Sequence, residues 1–371
     1  MSLANFNFED ASRELKEAAQ VELPKVQHLR EKVRSLRVME LGYRQCLAVA
    51  PVATDGGENR LSFDPLNVEI IRVADSEGRE HIQKFIPLGG DPTQFQRFFQ
   101  DVPILKSFLE RIGVSYRDLS YFLPGNKRTT EEENNKLGPS DEDLRKFVRS
   151  FRDVAEWAVV LDLAWSGRGV KMLVIRDGLL RSKSLSIPAM EALALAFKKA
   201  YDDTGSMLVG VAKRSKVLSY LSLALILEGT FRKQYPCFAE VPRELEEECY
   251  NFAGTWMQGQ AFGKMHLAKL CDGPETAVYP VDIPDWLLPK RKEVMEYLAE
   301  TAKASFPVPG YPQPLVRAHE NANLRGLEMS VLGDLLIRSV SEAMRQEEAE
   351  RVIRHVALGR GLILGGTKGN G

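Results

Sequence analysis

An α/β domain built on a mixed sheet is the fold class this sequence predicts, and three observations lead to it. Short β-rich runs alternate with stretches of helical periodicity between Cys46 and Glu228, the pattern of strands interleaved with helices. Two of those runs lead straight into an Asp-Gly pair, at Asp55-Gly56 and at Asp177-Gly178. The apolar fraction of 44% against 27% charged residues is that of a chain with enough apolar surface to bury a core.

Residues 1–44 read as an N-terminal helical segment. Phe8, Ala11, Leu15 and Ala18 mark one apolar stripe and Val26, Leu29, Val33 and Leu36 a second, with Pro24 separating two helices. From Cys46 to Val52 the apolar run is nearly continuous, and Thr54-Asp55-Gly56-Gly57 reads as the turn that ends a buried strand. Val68 to Val73 and His81 to Ile86 flank Asp75-Ser76-Glu77-Gly78 as a strand pair.

Polar residues dominate from about 124 to 143, which reads as an insertion within a main domain of residues 45–340. Ser140 with Asp143 three residues later opens a helix reaching about Trp165, with Leu144, Phe147, Phe151, Val154, Ala158 and Leu161 on its inner face. Val170 to Ile175 is a strand ending at Asp177-Gly178. Met190 to Tyr201 reads as helix, Ser206 to Val211 as strand and Lys213 to Glu228 as helix. Beyond these, Val278 to Ile283 reads as strand, Arg291 to Ser305 as helix and Asn321 to Arg354 as a long terminal helix or pair. Residues 341–371 read as a helix end followed by a glycine-rich tail.

Fifty basic against fifty-one acidic residues give a net charge of −1, so any phosphate-binding surface has to be local. Cys46, Cys237, Cys249 and Cys271 show no C-x-x-C spacing and no leader pattern opens the chain, which favours a reduced, cytoplasmic setting. The longest apolar run, Val217 to Leu227, is shorter than the roughly 20 residues a membrane helix needs, so no membrane partner is expected. Gly361 to Lys368 superficially resembles a phosphate loop, but the lysine is out of register and an ATPase is excluded. His266 with Cys249 and Cys271 lacks zinc spacing.

Asp55 and Asp177 each stand where an apolar strand meets glycine, and adjacent strands would bring the two carboxylates together. Paired acidic oxygens suit Mg²⁺ or Mn²⁺. A third acid, Glu156, lies among Ala155, Trp157 and Ala158, where an unpaired charge is costly. Arg145, Arg149, Arg152 and Glu156 share one helical stripe, readable as a phosphate track or as a solvated face with helix ion pairs. Further basic residues follow the strands in Arg176, Arg181 and Lys183, and in Lys213, Arg214 and Lys216. Local clusters of this kind can bind a nucleic-acid backbone despite the neutral overall charge. His319 follows the irregular stretch Gly310 to Ala318 and is a candidate metal ligand or proton-transfer group.

Taken in order, Ala53-Thr54-Asp55-Gly56-Gly57, Arg152-Asp153-Val154-Ala155-Glu156, Ile175-Arg176-Asp177-Gly178-Leu179, Gly210-Val211-Ala212-Lys213 and Tyr311-Pro312 through Ala318-His319 resemble the NurA nuclease family, over roughly Ala48 to Leu336. The resemblance implies a ribonuclease H-like core and a manganese-dependent nuclease acting on DNA ends and single strands. It also implies a homodimer working with a hexameric HerA-type DNA-translocating ATPase. Carried over by motif, Asp55, Glu156 and Asp177 become acidic ligands for one or two ions, His319 a further ligand or proton-transfer group, and Tyr311 a residue lining the site. Asp153 and Asp162 are alternatives to Glu156 on the same helix. The serine that commonly follows Asp-Gly in the family is Gly57 in the first motif and Leu179 in the second. Those departures keep open a second reading, a catalytically impaired adaptor that docks on and regulates the translocase. A third is an enzyme acting on RNA or hybrid duplexes.

Overall fold

The computed structural model describes residues 8–44, 48–63, 66–87, 91, 93–124, 141–166, 169–252, 261–346 and 348. Nine strands form one mixed sheet among them: β1 (Met39–Glu40), β2 (Ala50–Phe63), β3 (Leu66–Asp75), β4 (Glu80–Pro87), β5 (Met172–Asp177), β6 (Met207–Val211), β7 (Cys237–Glu240), β8 (Lys264–Lys269) and β9 (Tyr279–Ile283). Their order across the sheet is β1-β7-β8-β9-β6-β5-β2-β3-β4. The central strands β2, β5 and β6 run parallel, and antiparallel strands extend the sheet on both sides. This is the mixed α/β class the sequence predicts. Most of the 1–44 segment is helical, but its end, β1, is an edge strand paired with β7.

Eleven described helices accompany the sheet. These are α1 (Phe8–Arg34), α2 (Gln94–Asp101), α3 (Pro103–Ile112), α4 (Tyr116–Leu119), α5 (Asp141–Ser166), α6 (Ile187–Thr204), α7 (Lys216–Glu228), α8 (Arg243–Phe252), α9 (Arg291–Ala302), α10 (Gln313–Ala322) and α11 (Gly326–Glu342). Side chains alternate along a strand, so β2 and β5 at the centre of the sheet serve two cores. Val52 and Val174 pack with Phe151, Ala155 and Trp157 of α5 on one face, while Ala53, Leu173 and Ile175 pack with Val294 of α9 and with Leu315 and Ala318 of α10 on the other. A third cluster joins Leu29 and Val33 of α1 to Val217, Leu221 and Ala224 of α7.

Three local expectations are corrected. Pro24 does not separate two helices; it lies within the single helix α1. Beyond it, burial of Leu29 and Val33 and the ion pairs of Arg30 and Arg34 with Glu228 hold the helix against α7, which offsets the lost backbone bond. The first stripe, in contrast, stays largely in solvent at Phe8 and Leu15, which are 66% and 70% exposed.

Thr54-Asp55-Gly56-Gly57 is not a turn. Strand β2 runs straight through it, with Gly56 opposite Val73 and Gly57 opposite Arg72. A Cβ on Gly56 would collide with the Glu156 side chain, and one on Gly57 with the backbone carbonyl of Ala322. The two glycines let helices approach the strand from opposite faces, a role that local sequence cannot distinguish from turn-making.

The terminal helices divide earlier than expected. Gln313 starts α10, with Pro314 in its first turn where no backbone N–H is needed, and the break before α11 falls at Asn323–Arg325. His319 therefore sits inside a helix. Residues 125–140 of the insertion expected at about 124–143, Cys46, and the tail from 349 onward lie outside the described residues.

Candidate metal centre

At the carboxyl end of the parallel strands, β2 supplies Asp55 and β5 supplies Asp177. Ala53 and Ile175 face the α9 and α10 side of the sheet, and Asp55 and Asp177, two residues farther along each strand, share that side. Helix α10 covers the same face and brings His319 to them. Ligand atoms of Asp55, Asp177 and His319 all lie within 4.8 Å of one another. Two of the four residues expected to meet thus do so through adjacent strands, and the third arrives from a helix more than 130 residues downstream in sequence.

Each of the three side chains is held. His319 Nδ1 lies 2.7 Å from Asp55 Oδ2, and Asn323 Nδ2 lies 3.0 Å from His319 Nε2 while donating to the His319 carbonyl at 2.9 Å. Tyr311, buried on the lead-in to α10, donates its hydroxyl to Asp177 Oδ1 at 3.1 Å. Lys213, on the loop after β6, places Nζ 3.8 Å from Asp177 Oδ2 and 5.2 Å from the centre of the Tyr311 ring. Asn323 is a site residue that the sequence reading missed; the available signal was its position one helical turn beyond His319.

Electrostatics follow from this crowding. Burial, then the neighbouring charge of Asp55, pushes the Asp177 carboxyl up to about 6, although Lys213 and Tyr311 pull the other way. The hydrogen bond to Asp55 raises His319 above its ordinary value. Burial and Asp177 raise the Tyr311 phenol, which stays a proton donor. Two carboxylates and an imidazole facing one another, with one acid destabilised by the other, form a donor set that a divalent cation fits.

Glu156 does not join the three. It lies on α5, across β2 from Asp55, with its carboxylate against the bare Cα of Gly56. Oε2 is 3.4 Å from Arg176 Nη2, and Oε1 is 3.5 Å from Arg152 Nε. Burial pushes its carboxyl up to about 8, against the pull of Arg176. The alternatives are also committed elsewhere: Asp153 accepts from Arg176 at 2.7 Å and from the Ser182 hydroxyl, and Asp162 pairs with Arg111. The helical stripe consequently does not lead a phosphate to the three-residue cluster. Arg149 is exposed on the opposite side of the sheet, and Arg152 also pairs with Glu58.

Among the remaining basic residues, Lys183, Lys213, Arg214 and Lys216 are exposed on loops or helix starts that follow β5 and β6, the same end of the sheet as the acids. Arg181 is different and is withdrawn from the DNA-facing set. Its Nε and Nη2 lie 2.9 and 2.8 Å from the carboxylate of fully buried Asp282, and it also pairs with Glu246 and Tyr250. Asp282 also accepts the backbone N–H of Leu180 at 2.9 Å, so Arg181 fastens the loop after Asp177.

The NurA domain family model matches residues 98–324, more than half of the chain. This chain belongs to the NurA domain family. The matched stretch holds Glu156, Asp177, Lys213, Tyr311 and His319, whereas Asp55 precedes it and enters the site through the sheet. No curated protein matches significantly. Similar solved structures include the NurA nuclease from Sulfolobus solfataricus, at 16% identity and a TM-score of 0.43 over 91% of this chain and 98% of that one. Others are a NurA bound to dAMP and manganese, at 10% and 0.40 over 91% and 99%, and a NurA with manganese, at 9% and 0.39 over 90% and 98%. Among the described residues no helix is long and apolar enough to cross a membrane.

Proposed function

We propose that this NurA-domain chain is a divalent-metal-dependent deoxyribonuclease that hydrolyses phosphodiester bonds, with Asp55, Asp177 and His319 as the residues that hold the ion. The convergence of those three side chains carries the reading. When bound, such a cation polarises a phosphate oxygen and makes water easier to deprotonate.

The chain's own groups supply the rest. Tyr311 fixes one oxygen of Asp177, leaving the other turned toward Lys213. Asn323 and Asp55 hold the His319 ring from its two nitrogens. Lys213 offers a positive charge beside the acids, where negative charge would develop on an attacked phosphate. Lys183, Arg214 and Lys216 extend that charge along the same end of the sheet as a track for a DNA backbone. Glu156 is available to a second ion only if its carboxylate leaves Arg176 and passes over Gly56.

The finer parts of this reading are action at DNA ends and on single strands, a ribonuclease H-like core within residues 45–340, a homodimer, a HerA-type hexameric ATPase as partner, and a cytoplasmic setting. Manganese, the ion named for two of the NurA structures, is the one to test first. The adaptor alternative rested on the serines absent at Gly57 and Leu179. Gly57 now has a packing reason, since a serine Cβ would strike Ala322, and Leu179 is buried. The enzyme reading is therefore the one we hold.

Cleavage of linear duplex, single-stranded DNA and an RNA–DNA hybrid with Mn²⁺ tests it, comparing the native chain with Asp55→Ala and Asp177→Ala. Loss of DNA cleavage in both variants is expected, and equal activity in all three proteins would sink the assignment. Preference for the hybrid would shift it to a ribonuclease.

A further inference from the structure

We propose that the turn between β3 and β4, residues 75–79, is a strut that sets the distance between Asp55 and His319, with Asp75, Ser76 and Asn321 as its positioning residues. The proposal rests on the site described above but goes beyond it, because none of the three touches the candidate ligands.

Asp75 is fully buried, which is costly for a carboxylate unless its lone pairs are partnered. Here they are: Oδ1 accepts the backbone N–H of Glu77 at 2.9 Å and of Arg79 at 3.0 Å, and Oδ2 lies 2.9 Å from His81 Nε2. A hairpin does not need so rigid a turn, since Gly78 with φ of +86° already closes the bend.

Rigidity has a use in what the turn touches. On one side, Ser76 exchanges a pair of bonds with Ala53, its N–H donating to the Ala53 carbonyl at 2.9 Å and its Oγ accepting the Ala53 N–H at 3.1 Å. Ala53 is two residues before Asp55 on the same face of β2. On the other side, the Asp75 carbonyl accepts from Asn321 Nδ2 at 2.9 Å, two residues after His319 on α10.

Helix α10 therefore has two anchors at its carboxyl end. Ala322 rests on Gly57 and Asn321 on the Asp75 turn. With Leu315 and Ala318 seating the helix on the sheet, these two contacts fix the rotation of its end and hence where the His319 ring meets Asp55. Groups that hydrogen-bond a metal ligand directly change metal affinity by about 10–100-fold when removed, and the strut, one contact farther out, should act at the lower end of that range.

Asn321→Ala is the primary variant, because Asn321 is only half-buried, and Asp75→Asn is the second. Three measurements are made: thermal unfolding without metal, the His319 ring resonances by ¹⁵N NMR without metal, and Mn²⁺ binding by calorimetry. Thr204→Val, which removes one hydrogen bond from α6 to α5 and one within α6 far from the turn, controls for a general loss of stability. The strut predicts that Asn321→Ala folds, shifts the His319 resonance and weakens Mn²⁺ binding by about tenfold, while Thr204→Val alters only unfolding. Unchanged His319 resonance and native Mn²⁺ affinity in Asn321→Ala would overturn it. Should the native chain bind no Mn²⁺, the metal reading fails by itself, and the metal-free His319 resonance still decides the strut.

Discussion

Gly57 of β2 lies directly against the backbone carbonyl of Ala322, so the strand that carries Asp55 and the helix that carries His319 meet without a side chain between them. Gly57→Ala must push the backbone of α10 away, whereas Gly56→Ala meets the Glu156 side chain, from Cγ to Oε1, rather than backbone. Overpacking of this sort costs about 1–3 kcal/mol. The expected order in denaturant unfolding is Gly57→Ala less stable than Gly56→Ala, with Mn²⁺ binding impaired chiefly in the former. The reverse order would remove Gly57 as the contact that seats α10.

Asp177 is a group whose proposed role as a metal ligand opposes stability. Its carboxyl is raised from 3.8 to about 6, so it favours the folded state fully below pH 4, and that contribution is lost as pH rises through 6. In metal-free protein Asp177→Asn, which keeps an oxygen for Tyr311, should therefore be more stable than the native chain at pH 8, by at most about 3 kcal/mol, and should show no advantage at pH 4. Saturating Mn²⁺ should reverse the order at pH 8 by stabilising only the native chain. Unfolding curves at the two pH values, with and without the ion, check all three statements.

How much of this was legible beforehand divides by range in sequence. Asp177 at the end of β5 and the hairpin around Asp75 were readable because a strand period and a turn are local properties. The fold class followed from the same signals. Gly56 and Gly57 were misread as a turn because the helices that require them, at Glu156 and Ala322, lie far away in the chain. His319 and Tyr311 came from family motifs, since nothing local placed them opposite Asp55 and Asp177. Arg181 and Lys213 look alike as basic residues after strands, and only Asp282 and Glu246, about 65 to 100 residues away, separate a half-buried fastener from an exposed cation.

Tyr311→Phe isolates one hydrogen bond. Without the hydroxyl, Asp177 loses a contact that lowers its proton affinity, so its carboxyl titrates still higher than about 6. Protons then compete with the cation over a wider range. Mn²⁺ affinity in the native chain should fall first as the raised His319 takes up a proton, and further as pH drops through 6, where Asp177 does. The same fall should begin at higher pH in Tyr311→Phe. Calorimetry from pH 5.5 to 8 reads the displacement, and identical profiles would mean that the Tyr311 bond does not tune the acid.

Exposed cations and the half-buried, ion-paired Arg181 at the same end of the sheet should respond in opposite ways to mutation. Lys183, Arg214 and Lys216 present charge to solvent, so alanine at each should leave the unfolding free energy within about 0.5 kcal/mol. If they meet phosphates, each loss should weaken DNA binding similarly for any sequence and reduce the salt dependence by about one counterion. Arg181→Ala removes the partner of fully buried Asp282 and frees the loop after Asp177. Breaking such a pair costs about 3–5 kcal/mol, so this variant should lose stability first, and its DNA binding, measured while it remains folded at low temperature, should keep the native salt slope. A reduced slope in folded Arg181→Ala would return that residue to the DNA-facing set, because a side chain neutralised by Asp282 and Glu246 has no counterion of the nucleic acid to release.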